Sequence, residues 1–178
     1  ESNEANNEMT CTLTILMPYA TQVDTNAVLQ VALYEAGLYF HDGLFDWGSD
    51  GKVKPMLVKQ KQVSADGLTV TWKLQPNVKF HDGTAFNAAA VKWNLERKIQ
   101  KKQSPYDLLP FRTVEVIDEL TARVKLDRPY GALDAVLANR SFSMYSPTFA
   151  QKVGDNGLKT QQSGVGPFIL TSFVANEG

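Results

Sequence analysis

Residues 66–91, from Asp66 to Val91, read DGLTVTWKLQPNVKFHDGTAFNAAAV, and this stretch decides the fold. Asp66-Gly67 is a hairpin signal, because the tight turn needs positive φ values that Asp and Gly tolerate. After it Leu68, Val70, Trp72 and Leu74 point one way and Thr69, Thr71 and Lys73 the other, the alternation of a half-buried strand. A second strand is predicted at Val78 to Phe80, closing on the turn His81-Asp82-Gly83. Asn87 stands where a helix cap belongs, with Val91, Leu95 and Ile99 at four-residue spacing behind it on one helical face. The stretch by itself specifies an α/β unit built on a β-hairpin.

Upstream, Lys59 to Val63 is expected to pair with the Thr69 strand across the turn, and Gly48-Ser49-Asp50-Gly51 is a turn of its own. Leu29, Leu33, Ala36, Phe40 and Leu44 recur every three or four positions, giving one helical face toward Phe45. Gly37 weakens that helix by roughly 1 kcal/mol against Ala. Leu13, Ile15 and Met17 alternate through Thr12 to Met17, which reads as the opening strand. Downstream, Gln100 to Ser104 is a polar loop ending at Pro105. Thr113 to Ile117 and Thr121 to Leu126 form a hairpin around Asp118-Glu119, and Ala132 to Ala138 is a short helix. Pro147 suits the first turn of another helix running to Val153. Thr160 to Ser163 is a linker, followed by a strand from Phe168 to Phe173.

A chain of 178 residues is long enough for one domain with a real core. A formal charge of −1 and scattered basic residues argue against a nucleic-acid surface. Lys98, Lys101 and Lys102 read as a solvated helix end, where cations favour the C-terminal dipole. No apolar run is long enough to cross a bilayer. The polar start, Glu1 to Glu8, reads as a flexible tether. Cys11 is the sole cysteine, so an intrachain disulfide and a cysteine metal cluster are both excluded; it enters the first strand as a small, half-buried residue.

His41 and His81 are the two histidines, each followed by Asp-Gly. The turn reading has Asp82 bonding nearby amides and His81 packing on the adjacent strand. Nothing at metal-ligand spacing accompanies either, so no metal site is expected. Ser141, Ser143 and Ser146 lack a neighbouring histidine, and no Gly-x-Ser-x-Gly elbow exists. Gly164-Val165-Gly166-Pro167 is not a phosphate loop, because Pro167 lacks an N–H and no Gly-Lys-Ser/Thr follows. The expectation is therefore no catalytic residues and no cofactor. Trp47, Trp72 and Trp93 are assigned to cores. Tyr19 and Thr21 follow the first strand at its C-terminal end, where open α/β folds place ligands; a plain surface loop is the alternative.

The stretch from Asp66 to Ala88 resembles the signature of the family 5 bacterial extracellular solute-binding proteins, approximately DGxTxTFxLRxxVKFHDGxPFxAxDVxxS. Gln75 stands for the usual Arg, Ala85 for the usual Pro, and Ala90 for the usual Asp before Val91. Collinear matches cover nearly the whole chain. Asp42-Gly43-Leu44-Phe45 with Asp50-Gly51-Lys52-Val53-Lys54-Pro55 resembles the family's "DGLF…DGKVxP" segment. Val114 to Asp118 with Thr121, Leu126, Pro129 and Tyr130 resembles its next hairpin. Ser146-Pro147, Gly164 to Phe168 and Glu177-Gly178 resemble its "SP…GTGPF…GE" run.

The resemblance implies an α/β (mixed α+β) fold of the periplasmic-binding-protein type II kind, first lobe only, with a β-hairpin-rich subdomain. It implies a flexible tail over 1–11, the first part of the lobe's main sheet over 12–48, the β-rich subdomain over 49–160, and a return strand over 161–178. Family members are two-lobed and far longer, so an N-terminal portion is implied. The implied function is capture of a small solute, a short peptide or a metal chelate, for delivery to the permease subunits of an ABC importer. The implied location is periplasmic or the outer face of the cytoplasmic membrane, with membrane contact only through a lipid anchor upstream of Glu1. In nickel-type and some peptide-type relatives an arginine at the position of Arg140 faces the cleft and binds a carboxylate, a task suited to its planar fork. A surface ion pair or a helix cap is the alternative. Tyr106, after Ser104-Pro105, aligns with a cleft aromatic in the same relatives; an ordinary loop tyrosine is the alternative. The rival to the receptor is a stand-alone adhesive or sensory module that reuses this subdomain.

Overall fold

The computed structural model describes residues 40–100 and 109–173. Their strands are β1 (Phe45–Trp47), β2 (Val53–Pro55), β3 (Val58–Val63), β4 (Thr69–Leu74), β5 (Phe111–Asp118) and β6 (Thr121–Leu126). The helices are α1 (Ala88–Gln100), α2 (Leu133–Leu137) and α3 (Pro147–Gly157), with a 3-10 turn at Arg140–Phe142. β3, β4, β6 and β5 form a four-stranded sheet in that order, while β1 and β2 form a separate ribbon. Both sheets are antiparallel throughout.

The Asp66-Gly67 turn joins β3 to β4 as its chemistry requires. Gly67 has a φ of 69°, and Asp66 Oδ1 accepts hydrogen bonds from Ser64 Oγ and the Leu68 amide. Val70, Trp72 and Leu74 of β4 are buried, as the alternation demands, while Lys73 is exposed. Register carries this face across the sheet: Val70 opposes Val124, Trp72 opposes Ala122, and Val114 opposes Val124 on the other side. Helix α1 covers the apolar face with Ala88, Val91 and Leu95. Its start is capped as expected, the Ala90 amide donating to Asn87 Oδ1 at 3.0 Å. Phe80 and Phe86 meet edge to face at 5.8 Å, and Phe45 meets Trp72 likewise at 6.4 Å. On the outer face Lys125 pairs with Glu115 at 2.6 Å, and the edge strand β3 exposes Lys59 and Lys61, which discourages pairing with another chain.

Several local expectations are corrected. Val78 to Phe80 is not a ladder strand; the Phe80 amide donates to the Thr84 carbonyl across the His81-Asp82-Gly83 turn, leaving a single bridge, Lys79 to Ala85. Phe168 to Phe173 forms no strand, and Ile169 is 63% exposed. A strand needs a partner, and none pairs with it among the described residues; the opening strand expected at Thr12 to Met17 lies outside them. Leu44 is buried at the approach to β1 and does not continue a helix to Phe45. Ile99 rotates to the rim of the α1 face, 39% exposed. Trp47 is no core residue: at the tip of the β1–β2 ribbon it is 50% exposed, because a two-stranded ribbon buries only one side. Trp72 is fully buried, and Trp93 packs against a second small cluster of Tyr145, Ala150 and Leu158. Among the described residues no helix is long and apolar enough to cross a membrane.

Candidate functional site

Helix α2 ends at Leu137, and its successors tighten into the 3-10 turn that begins at Arg140. The turn is closed locally. Phe142 N–H donates to the Asn139 carbonyl at 2.8 Å, and the Ser141 amide donates to Asn139 Oδ1 at 3.0 Å. Leu137, Ala138, Ser141 and Phe142 are all buried, so the backbone of Arg140 is held between anchored neighbours. After the turn the chain runs buried through Ser143, Met144, Tyr145 and Ser146 into α3. Asn94 of α1 clamps that run, donating to the Tyr145 carbonyl at 2.8 Å and accepting from the Tyr145 amide at 3.0 Å.

Ser146 is the N-cap of α3: its Oγ accepts from the Phe149 amide at 3.1 Å and donates to Asp82 Oδ2 at 2.5 Å. Asp82 Oδ1 in turn accepts from the Thr84 amide at 3.1 Å and Thr84 Oγ1 at 2.6 Å. Burial opposes ionisation of Asp82, but the bonds from Ser146 and Thr84 together outweigh it and hold the carboxyl below its ordinary range. The HDG turn is thus tied to α3 by an ionised carboxylate. Sequence reading placed the aspartate's bonds on nearby amides; its second oxygen reaches 64 positions along the chain.

The two histidines enclose the glycine-rich segment 164–166. His81 Nε2–H donates to the Gly166 carbonyl at 2.8 Å and Nδ1 accepts from the Gly164 amide at 3.3 Å, so His81 binds this segment rather than packing on a strand. His41 is fully buried, with Nε2 2.8 Å from Gln162 Oε1 and Nδ1 3.3 Å from the Met144 carbonyl. Both partners are acceptors, so a neutral ring serves only one, and the shorter contact takes the proton. Burial pushes His41 down from 6.5 to about 4, against the raising influence of those hydrogen bonds. A Cβ on Gly164 would lie 2.0 Å from the Phe40 carbonyl oxygen, which is why glycine stands there.

Lys98 corrects the reading of its cluster as a solvated helix end. It is 2% exposed; Nζ donates to the Ser141 carbonyl and lies 5.2 Å from the centre of the Phe142 ring. Lys101 and Lys102 lie outside the described residues, as do Tyr19, Thr21, Tyr106 and Cys11. Arg140 is thus the candidate ligand residue whose backbone place is defined. The clamps Asn94 and Lys98 escaped sequence reading, since no local pattern marks a polar residue on an apolar helix face as a long-range bond maker; of Asp82 only the local bonds were legible. Among the described residues no group of three or more His, Cys, Asp or Glu could hold a metal ion.

Residues 52–178 match the family described as bacterial extracellular solute-binding proteins, family 5 Middle. Among curated relatives, the glutathione-binding protein GsiB of Pectobacterium atrosepticum is 37% identical over 165 residues, covering 91% of this chain and 30% of that protein. Among solved structures, the PBP AgaA from A. tumefacien R10 in complex with agropinic acid superposes with a TM-score of 0.80 at 30% identity, over 87% of this chain and 32% of that one. NikA from Brucella suis in complex with Fe(III)-EDTA superposes with a TM-score of 0.77 at 25% identity, over 89% and 33%. The chain spans about 30% of the length of the curated relatives it matches.

Proposed function

This chain belongs to family 5 of the bacterial extracellular solute-binding proteins, and we propose that it forms one wall of a solute-binding cleft in the receptor of an ABC importer. The receptor captures a small solute, a short peptide such as glutathione or a metal chelate, and delivers it to the permease subunits. The match to the family over residues 52–178 carries the reading. It is supported by GsiB, named for glutathione, and by the AgaA and NikA complexes with agropinic acid and Fe(III)-EDTA. Glutathione and the EDTA of the iron chelate both carry carboxylates, the group that a guanidinium at Arg140 would receive. Tyr106, Tyr19 and Thr21 are proposed as further contacts.

On this reading residues 12–48 and 161–178 belong to the main sheet of a lobe, and residues 49–160 form its β-rich subdomain. The protein works as a binder without catalysis, in the periplasm or tethered by a lipid to the outer face of the cytoplasmic membrane. Affinity comes from closure of two walls on the solute. The test is to purify the intact protein from cells, denature it and identify the released molecule by mass spectrometry. A carboxylate-bearing peptide or chelate is the expected result; repeated preparations that release no small molecule, with no uptake defect on deletion, would refute the receptor. Arg140→Ala should weaken binding roughly tenfold or more, the loss of hydrogen bonds to a charged group.

A further inference from the structure

We infer that Lys98 is a positioning residue for the turn headed by Arg140, an inference that rests on the reading of Arg140 as the solute's carboxylate receiver. A lysine in the last turn of a helix ordinarily extends into water, where its ammonium is well solvated. Lys98 instead buries an ammonium, which is tolerable only where hydrogen bonds replace the lost water. The replacement is specific: Nζ donates to the carbonyl of Ser141, the residue after Arg140, and faces the ring of Phe142, the residue after that.

One helical turn earlier, Asn94 stands on the same face of α1 and grips Tyr145 through both its amide and its carbonyl. Two side chains four residues apart thus hold the 141–145 run from a helix that is itself packed on the sheet. The two grips differ in consequence. Asn94 holds the chain three residues beyond the turn, whereas Lys98 holds the 141–142 peptide unit inside the turn, one residue on from Arg140. A carbonyl left without its donor in a buried setting turns to find another, and turning the 141–142 peptide carries the Arg140 backbone with it. An outer partner that orients a binding residue is worth on the order of tenfold or more in affinity.

The test uses glutathione as the probe, titrated calorimetrically into the intact protein and its variants Lys98→Met, Lys98→Arg, Arg140→Ala and the double change Lys98→Met with Arg140→Ala. Lys98→Met keeps the chain length and removes the donor; Lys98→Arg keeps a donor. The expected result is that Lys98→Met weakens glutathione about tenfold, that Lys98→Arg recovers most of the loss, and that Lys98→Met adds nothing once Arg140 is alanine. Amide exchange at 141–145 should quicken in Lys98→Met while exchange in β4 and β6 stays unchanged. If Arg140→Ala weakens glutathione and Lys98→Met does not, the positioning role falls and the receptor reading survives. If Lys98→Met weakens binding equally with and without Arg140, Lys98 acts on the fold at large and the inference is overturned. If Arg140→Ala changes nothing, the Arg140 reading fails and takes this one with it; if the unaltered protein ignores glutathione, Fe(III)-EDTA is titrated in its place and held to the same outcomes. Should Lys98→Met melt too readily to purify, Lys98→Leu, which also lacks a donor, is held to the same outcomes.

Discussion

Asp82 and Ser146, 64 positions apart, meet at 2.5 Å between Oδ2 and Oγ, and this contact ties the HDG turn to the first turn of α3. The serine that caps the helix is oriented by a carboxylate from another segment, so removing either partner damages both elements. Asp82→Ala should cost about 1–3 kcal/mol of unfolding free energy, the penalty for leaving two hydroxyls and an amide short of their acceptor. Ser146→Ala should cost about 1 kcal/mol as a lost cap. Urea unfolding of both single variants and the double variant should show strong non-additivity; simple addition would mean the two act separately.

His41 makes stability depend on pH. The unfolded chain takes up its proton near 6.5 and the native state near 4, because burial disfavours the imidazolium more than its hydrogen bonds favour it. Between those values the unfolded state holds more protons, so stability is full above about 6.5 and falls as pH drops toward 4. The loss reaches roughly 3 kcal/mol, at about 1.4 kcal/mol for each pH unit of difference. Chemical denaturation at pH 7.5, 5.5 and 4.5 is the measurement, with His41→Gln as the comparison. A variant that keeps the full slope would assign it to other groups.

Gly164 has no room for a side chain. Gly164→Ala would set a methyl 2.0 Å from the Phe40 carbonyl oxygen and 2.2 Å from His41 Nδ1, and backbone must move. A loss of about 1–3 kcal/mol or more is expected. Gly131→Ala, with open space around its Cβ, should stay within about 0.5 kcal/mol. Equal melting of the two variants would contradict the packing.

Asn94→Leu should be more damaging than its size suggests. It preserves volume but leaves the amide and carbonyl of buried Tyr145 without their partner, an expected loss of about 3 kcal/mol from two groups. Thermal melting checks it. A variant as stable as the parent would show that the run from Ser143 to Ser146 holds itself.

Much of this architecture is legible in short range. The β3–β4 hairpin, the Asn87 cap, the β5–β6 hairpin and the start of α3 at Pro147 each follow from residues within one or two turns of one another. Failures fall where a residue's state depends on a distant partner. Phe168 to Phe173 has strand composition but no neighbouring ladder among the described residues. Trp47 has the composition of a core residue but sits on a ribbon with one open side. Lys98 has the composition of a surface residue, and the Ser141 carbonyl draws it inside. Of the candidate ligand residues, Arg140 came from the family resemblance rather than from any local pattern, which is why its supports had to be found in space.

The chain's own order of residues determined which segments would turn, alternate or coil, because propensity, capping and positive-φ demands act over a few residues. Tertiary structure alone decided that His41 and His81 would face one glycine-rich segment and that Lys98 would reach the Arg140 turn. Those contacts join positions far apart along the chain, and only packing against a shared core makes burying their polar groups affordable in free energy.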